Sequence, residues 1–158
     1  MQKLIETFYS AFANLDAETM AGCYHDDIVF EDPAFGILKG DKARNMWRML
    51  CESQRGKDFV VETFKMEANE KKGIAHWEAH YVFRKTGRKV HNKINTEFEF
   101  RDGKIIKHTD HFNLYAWSKQ TLGFQGTLTG WTVFFKKKLN AQTNKLLSEF
   151  EKHKNPDR

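Results

Sequence analysis

Residues 74–114 read IAHWEAHYVFRKTGRKVHNKINTEFEFRDGKIIKHTDHFNL, and this stretch decides the fold. Apolar and polar residues alternate through three runs, 74–84, 90–101 and 104–114, with the period of strands buried on one side. Lys85-Thr86-Gly87-Arg88 reads as a hairpin loop between the first two runs, and Asp102-Gly103 as a tight turn between the next two. Upstream, 59–68 alternates in the same way and 69–73 is its turn. The pattern predicts a four-strand antiparallel meander.

Outside the meander the period changes. Leu4, Phe8 and Phe12 recur every four residues with Ile5 and Tyr9 alongside, which predicts an amphipathic helix. Asp16 is placed to cap a second short helix carrying Met20 and Tyr24. Residues 28–31 form a short strand that Pro33 ends. Gly40-Asp41 opens a third helix with Ala43, Trp47 and Leu50 as its apolar stripe. After the meander, Gly123, Gly126 and Gly130 mark bends, and Trp131, Phe135, Leu139, Leu146, Leu147 and Phe150 stripe a long C-terminal helix. Helices, then a sheet, then a helix place the chain in the α+β class.

The chain has 158 residues, enough for one domain with a core of its own. At 40% hydrophobic and 30% charged, with 2 prolines, it is neither disordered nor fibrous. No apolar run is long enough to span a membrane, and polar residues interrupt the N-terminal apolar pattern, unlike a signal peptide. Of the net charge of +5, the segment 131–158 carries +4, with 7 Lys/Arg against 3 Asp/Glu. The body is thus nearly neutral, and no nucleic-acid or membrane partner is expected. Cys23 and Cys51 match no metal or redox spacing and read as reduced packing residues of a cytoplasmic protein. His76, His80 and His91 share the outward parity of their strands. With no carboxylate fixed beside them by spacing, they read as a surface or dimer face, and no metal or cofactor is expected.

Alternation also sorts side chains by face. Trp77, Ala79, Tyr81 and Phe83 share one face of the 74–84 strand. Val90, Ile94, Phe98 and Phe100 share that face on the next strand, together with Asn92 and Thr96. On 104–114, Ile106 and Phe112 mark the interior, and His108 and Asp110 have the same parity. Asn92, Thr96, His108 and Asp110 on an apolar face point to a lined cavity more simply than to a solid core. The competing reading makes His108 and Asp110 a satisfied core pair bonded to backbone.

The run His25-Asp26-Asp27-Ile28-Val29-Phe30-Glu31-Asp32-Pro33 resembles the DD…EDP segment of ketosteroid isomerase. Gly87-Arg88-Lys89, Phe98-Glu99-Phe100 and Gly103-Lys104-Ile105 follow in that family's order. His108-x-Asp110-x-Phe112 is similar to the ending of SnoaL-like proteins in the nuclear transport factor 2 superfamily. The resemblance covers residues 1–115. It implies a curved antiparallel sheet wrapped around N-terminal helices, a conical, cystatin-like barrel with a pocket at its open end. Residues 116–158 then form a helical extension packed on the same domain, over the pocket mouth or against another subunit. The isomerase's general base corresponds to Asp32. Its oxyanion tyrosine corresponds to Phe8 and its oxyanion aspartic acid to Thr96, with Tyr9 about a quarter-turn away around the helix.

These readings nominate Asp32, His108 and Asp110 as catalytic. Tyr24, placed near the pocket mouth, joins Phe30, Trp47, Trp77, Tyr81, Asn92 and Thr96 as ligand-binding. The expected ligand is a small apolar molecule, and the expected chemistry is cofactor-free proton transfer: isomerisation, polyketide-cyclase-like cyclisation or hydration. The rival readings are a non-catalytic ligand-binding or dimerisation module and a protein-binding adaptor. A homodimer is expected, through the outer sheet face or the C-terminal helix.

Overall fold

A computed structural model describes residues 1–154. Helix α1 (Gln2–Ala13) buries Ile5, Phe8, Tyr9, Ala11 and Phe12. Asp16 caps α2 (Ala17–Gly22), its carboxylate accepting from the Thr19 amide at 3.1 Å. Strand β1 (Tyr24–Asp32) and the short β2 (Gly36–Lys39) precede α3 (Asp41–Gln54). The meander follows as β3 (Val60–Ala68), β4 (Lys72–Phe83), β5 (Arg88–Arg101) and β6 (Lys104–His111). Helices α4 (Leu114–Leu122), α5 (Phe124–Thr129) and α6 (Val133–Lys154) close the described chain.

The six strands form one sheet in the order β2-β1-β6-β5-β4-β3. The β3 to β6 meander is antiparallel throughout, and β1 joins it in parallel along β6. The sheet does not close. Strands β2 and β3 are free edges, so the expected barrel is an open curved sheet. Its inner face packs Ala75, Trp77, Ala79, Ile94 and Phe98 against α1 and α3, and all of these are buried.

Several local expectations are corrected. Strand β1 starts at Tyr24, four residues before the predicted 28–31 run, so Tyr24 is a strand residue. Strand β2 has no counterpart in the sequence reading. Strand β6 ends at His111, because Asn113 caps α4 by accepting from the Ala116 amide at 2.9 Å. The buried residue at the start of β6 is Ile105, at 0% exposure, in place of Ile106. Glu99 pairs with Lys107 but Phe100 pairs with Ile105, so β6 carries one extra residue. His108 lies beyond that bulge and keeps its inward direction.

The C-terminal helix is less apolar in its contacts than its stripe implied. Leu147 is its one buried residue, while Leu146 and Trp131 are exposed. Polar bonds dock it instead. Asn140 Nδ2 donates to the carbonyls of Pro33 and Ala34 at 3.0 and 2.6 Å, Thr143 Oγ1 to Ala34 at 2.9 Å, and Asn144 Nδ2 to Phe35 at 2.8 Å. Gly126 lies inside α5 and marks no bend. A Cβ there would stand 1.9 Å from the Ser118 carbonyl oxygen, so only glycine lets α5 close on α4. Residues 155–158, which end the predicted extension, lie outside the described residues.

Candidate functional site

The register fixes which inward side chains are neighbours. Phe30 of β1 stands beside His108 of β6, and Glu31 beside Thr109. One residue further along each strand stand Asp32 and Asp110, both with inward parity and close enough for the Asp110 charge to act on Asp32. Across β6, Thr96 of β5 pairs with Asp110. Three polar side chains therefore form a row at one end of the apolar inner face.

Behind this row lies a closed network. His108 has no exposed surface, and Phe8, Phe30, Trp47 and Phe98 surround its ring with centroids 4.7–5.8 Å away. Trp47 Nε1 donates to the Tyr24 hydroxyl oxygen at 2.7 Å. The Tyr24 proton then goes to His108 Nδ1, 2.8 Å away, since the described residues offer it no other acceptor. That leaves His108 Nε2–H to donate to Asp110 Oδ1 at 3.0 Å. From the other side, Tyr9 Oη and Trp77 Nε1 donate to Thr96 Oγ1 at 3.0 and 2.9 Å, and Thr96 donates to Asp110 Oδ1 at 2.5 Å. Two donor chains thus converge on one carboxylate oxygen.

The second oxygen of Asp110 accepts nothing from the described residues. Among the described residues, Gln54 Oε1 is the one buried side-chain polar atom without a partner. Asp110 Oδ2 is therefore the part of this residue that meets open space. Asp32 has the same asymmetry. Its Oδ1 accepts from the amides of Ala34 and Phe35 at 3.0 and 2.6 Å, and its Oδ2 has no partner among the described residues. Burial, with the charge of Asp110 adding to it, pushes the Asp32 carboxyl up to about 7 against the pull of its backbone bonds. Tyr81 lies near enough for the charge of Asp32 to act on it. Burial is the main cause that pushes its hydroxyl up to about 12. Its oxygen accepts from Trp117 Nε1 at 2.8 Å, and its own proton has no protein acceptor.

The residues nominated from sequence thus divide. Asp32 and Asp110 come together, and His108 bonds Asp110. Thr96, Trp77, Trp47, Phe30 and Tyr24 are buried in or against the network. Tyr24 is therefore in the core, away from any pocket mouth. Tyr81 and Asn92 are half-buried on the same face, and the Asn92 amide has no side-chain bond. The expectation that Thr96, His108 and Asp110 line a cavity is corrected in part: Thr96 and His108 spend their hydrogen bonds inside the network and are closed off from any cavity, whereas Asp110 spends one oxygen there and keeps the other. The expectation that they bond backbone fails too, since their partners are side chains. A groove of about 410 Å³ lies elsewhere, bordered by Asn69, Lys72, Glu97, Glu99 and Lys107, and none of the three nominated catalytic residues lines it.

The sequence reading missed Tyr9, whose reach from α1 makes up for its quarter-turn offset and places its hydroxyl on Thr96. It also missed Asn140, Thr143 and Asn144, which hold the turn whose amides bind Asp32. Their signal was the i, i+3, i+4 spacing of three short polar residues on one helix face. Among the described residues, the group with metal-ligand geometry is Glu78, His80 and His91, on the opposite side of the sheet.

The model of the SnoaL-like domain matches residues 5–108. The chain belongs to this family. Solved structures agree on the fold. An LEH-like epoxide hydrolase from M. tuberculosis is 23% identical, with 80% of this chain and 91% of that one aligned at a TM-score of 0.61. A hypothetical protein with a ketosteroid isomerase-like fold from Catenulispora acidiphila, in complex with trimethylamine, is 12% identical over 75% of this chain and 92% of its own, at a TM-score of 0.62. Bal32a, from a soil-derived mobile gene cassette, is 20% identical over 75% and 94%, at 0.64. No curated protein matches the chain. No helix among the described residues is long and apolar enough to cross a membrane.

Proposed function

We propose that this SnoaL-like chain binds a small, largely apolar molecule at the Asp32–Asp110 end of its inner face and moves a proton on it without a cofactor, as an isomerase, cyclase or hydratase does. The observation that carries the reading is the carboxylate pair: neighbouring strands hold two carboxyl groups, each tied by one oxygen and open at the other. A base is most effective when its pKa lies near the working pH, and Asp32 at about 7 meets that condition. Asp32 Oδ2 takes the proton from a carbon acid or from an attacking water. The unspent Tyr81 proton donates to the oxygen that gains charge. His108 touches no ligand in this scheme; with Thr96 it holds Asp110 in place as a positioning residue. Phe30, Trp47, Trp77 and Tyr24 back the site, and the Asn92 amide is free to orient a polar end of the ligand. Residues 1–115 supply this machinery. From the extension, Asn140, Thr143 and Asn144 clasp the Asp32 turn.

The test is turnover of a panel of β,γ-unsaturated ketones and 1,2-epoxides, with mass spectrometry of any ligand retained from the expression host. Asp32→Asn should lower turnover at least about a hundredfold. Full activity in that variant removes Asp32 from the site. No turnover by the wild type, with a ligand retained, favours the second reading, a non-catalytic binding module. The aromatic packing that fills the space around His108 supports that alternative.

We also propose a homodimer that buries the apolar side chains at the α5–α6 junction. Phe124, Trp131 and Phe134 are 71–77% exposed there. Sedimentation should give a species near twice 18.6 kDa, and a monomer at micromolar concentration counts against it. A cytoplasmic location is supported by Cys23 and Cys51, both buried and free.

A further inference from the structure

The outer face of β4 and β5 gathers ligand side chains that no single strand reveals. Glu78 and His80 are two residues apart on β4 and so point the same way. The β4–β5 register places His91 directly across from His80. Glu78, His80 and His91 each offer one ligand atom, and the three atoms lie within 4.8 Å of one another. The two imidazole rings stack with centroids 4.0 Å apart and planes 22° apart. His91 Nε2 is hydrogen-bonded to Glu78 Oε2.

This is not a loose acidic patch. The Glu78 side chain is 12% exposed, while those of His80 and His91 are 42% and 40% exposed. The carboxylate is largely covered by its neighbours on the outer face, and the rings beside it remain open to solvent. The other carboxylate oxygen, Oε1, is held by His76 Nε2 at 3.4 Å, and His76 is itself fixed through Nδ1 by Asn95 Oδ1 at 2.8 Å. Partners of this kind orient the ligands of metal sites. Lys93 Nζ stands 3.5 Å from the same Oε1, so the resident cation occupies the oxygen that the two ligand histidines do not share. Glu62 Oε2 lies 3.5 Å from His80 Nε2 and adds negative charge at the rim.

We propose that Glu78, His80 and His91 bind a divalent transition-metal ion, zinc in the first instance, on the outer face of the sheet. Two imidazoles and one carboxylate are a donor set that zinc takes in four-coordinate sites, and the same donors accept copper and nickel. Bonds of about 2.0–2.1 Å draw the ligand atoms to about 3.3 Å apart. The half-exposed rings make that adjustment by small side-chain rotations. The ion replaces the hydrogen bond between His91 Nε2 and Glu78 Oε2, and it cross-links β4 to β5. A fourth position stays open for water or an outside ligand. This replaces the sequence expectation of no metal, which grouped His76, His80 and His91 by their outward parity and found no carboxylate fixed beside them, although Glu78 shares that parity on β4. The site lies on the opposite side of the sheet from Asp32 and Asp110 and stands whether or not the proposed catalysis does.

The test uses the full chain without an affinity tag, stripped with a chelator, dialysed and titrated with zinc chloride by calorimetry. The expected result is saturable binding of one ion per chain. His91→Gln and Glu78→Gln should each weaken it at least about tenfold, while His111→Gln, on the same outer face, should leave it unchanged. Circular dichroism checks that each variant folds. Cobalt(II) provides a second readout, since ligation by the protein gives d–d bands unlike those of the aqueous ion, and His91→Gln should abolish them. No saturable zinc binding, binding equal in His91→Gln and wild type, or a cobalt spectrum identical to the aqueous ion would overturn the proposal.

Discussion

On β6, His108 turns inward and His111, three residues later, turns outward. The first has no exposed surface, five aromatic neighbours and a fixed partner on each ring nitrogen. The second is 57% exposed and has Glu97 at 3.8 Å as its ion-pair partner. The same contrast runs across the whole sheet. Inside, Trp47, Tyr24, His108, Asp110, Thr96, Tyr9 and Trp77 form chains in which almost every donor has one possible acceptor. Outside, the half-exposed rings of His80 and His91 and the ring of His76 share the Glu78 and Glu62 carboxylates as partners. Residue type alone therefore says little about role. Desolvation makes the inner bonds obligatory, whereas water can replace any of the outer ones.

The largest expected effect breaks the inner half of this contrast. His108→Ala removes a buried ring, leaves the Tyr24 proton without its acceptor and takes from Asp110 Oδ1 one of its two donors, so it should cost about 3–5 kcal/mol. Urea unfolding followed by tryptophan fluorescence measures this. A loss below about 1 kcal/mol would mean that the network is wet in solution.

The next effect depends on pH and singles out Asp32. Its carboxyl sits at about 7 in the folded chain against 3.8 as the ordinary value. Between these limits the folded state holds a proton that the unfolded state has released. Stability therefore falls as pH rises from about 4 to about 7 and levels off above that, by a few kcal/mol in total. Asp32→Asn keeps an oxygen for the Ala34 and Phe35 amides and has no charge to bury. The difference in stability between Asn variant and wild type should grow in the variant's favour across that window. A difference that stays flat from pH 4 to 8 would show that Asp32 is hydrated like an ordinary surface carboxylate.

The meander was legible because strand alternation and the Asp102-Gly103 turn are local signals, and so was the inward direction of His108 and Asp110. What was not legible depended on contacts distant in sequence. Gly36–Lys39 is too short to show a period and becomes a strand only beside β1. The extra residue at Ile106 is a property of the β5–β6 pairing. Tyr9 looked misdirected on a helical wheel, yet a tyrosine is long enough to reach Thr96. The apolar stripe of the last helix was read as its docking surface, while Asn140, Thr143 and Asn144 make the bonds. Asp32 was identifiable through its family motif and Asp110 through its parity, but that β1 runs beside β6 and brings the two onto neighbouring strands was not.

A smaller effect tests how the extension supports the inner site. Asn140→Ala removes two bonds to the Pro33 and Ala34 carbonyls and leaves the Thr143 bond to Ala34 intact. The expected loss is about 1–2 kcal/mol, with faster amide exchange in residues 33–36. Unchanged exchange there would mean that the helix rests on the turn without holding it.

The smallest expected effect belongs to His111, and its value lies in the contrast with His108. The two share strand, residue type and a carboxylate neighbour, so a sequence-level argument treats them alike. His111→Ala removes an exposed ring whose contact with Glu97 is long and open to salt, and water replaces it on both sides. The change should stay within about 0.5 kcal/mol. The margin between this variant and His108→Ala then measures what enclosure adds to a histidine–carboxylate pair on this strand. Raising salt should leave the His108 value nearly unchanged, because an enclosed pair is poorly screened, and should erase what little His111 contributes. A His111 loss approaching that of His108 would mean that the outer face is covered in solution. The free chain would then have to be described with a partner, or a second copy, seated over Glu97 and His111.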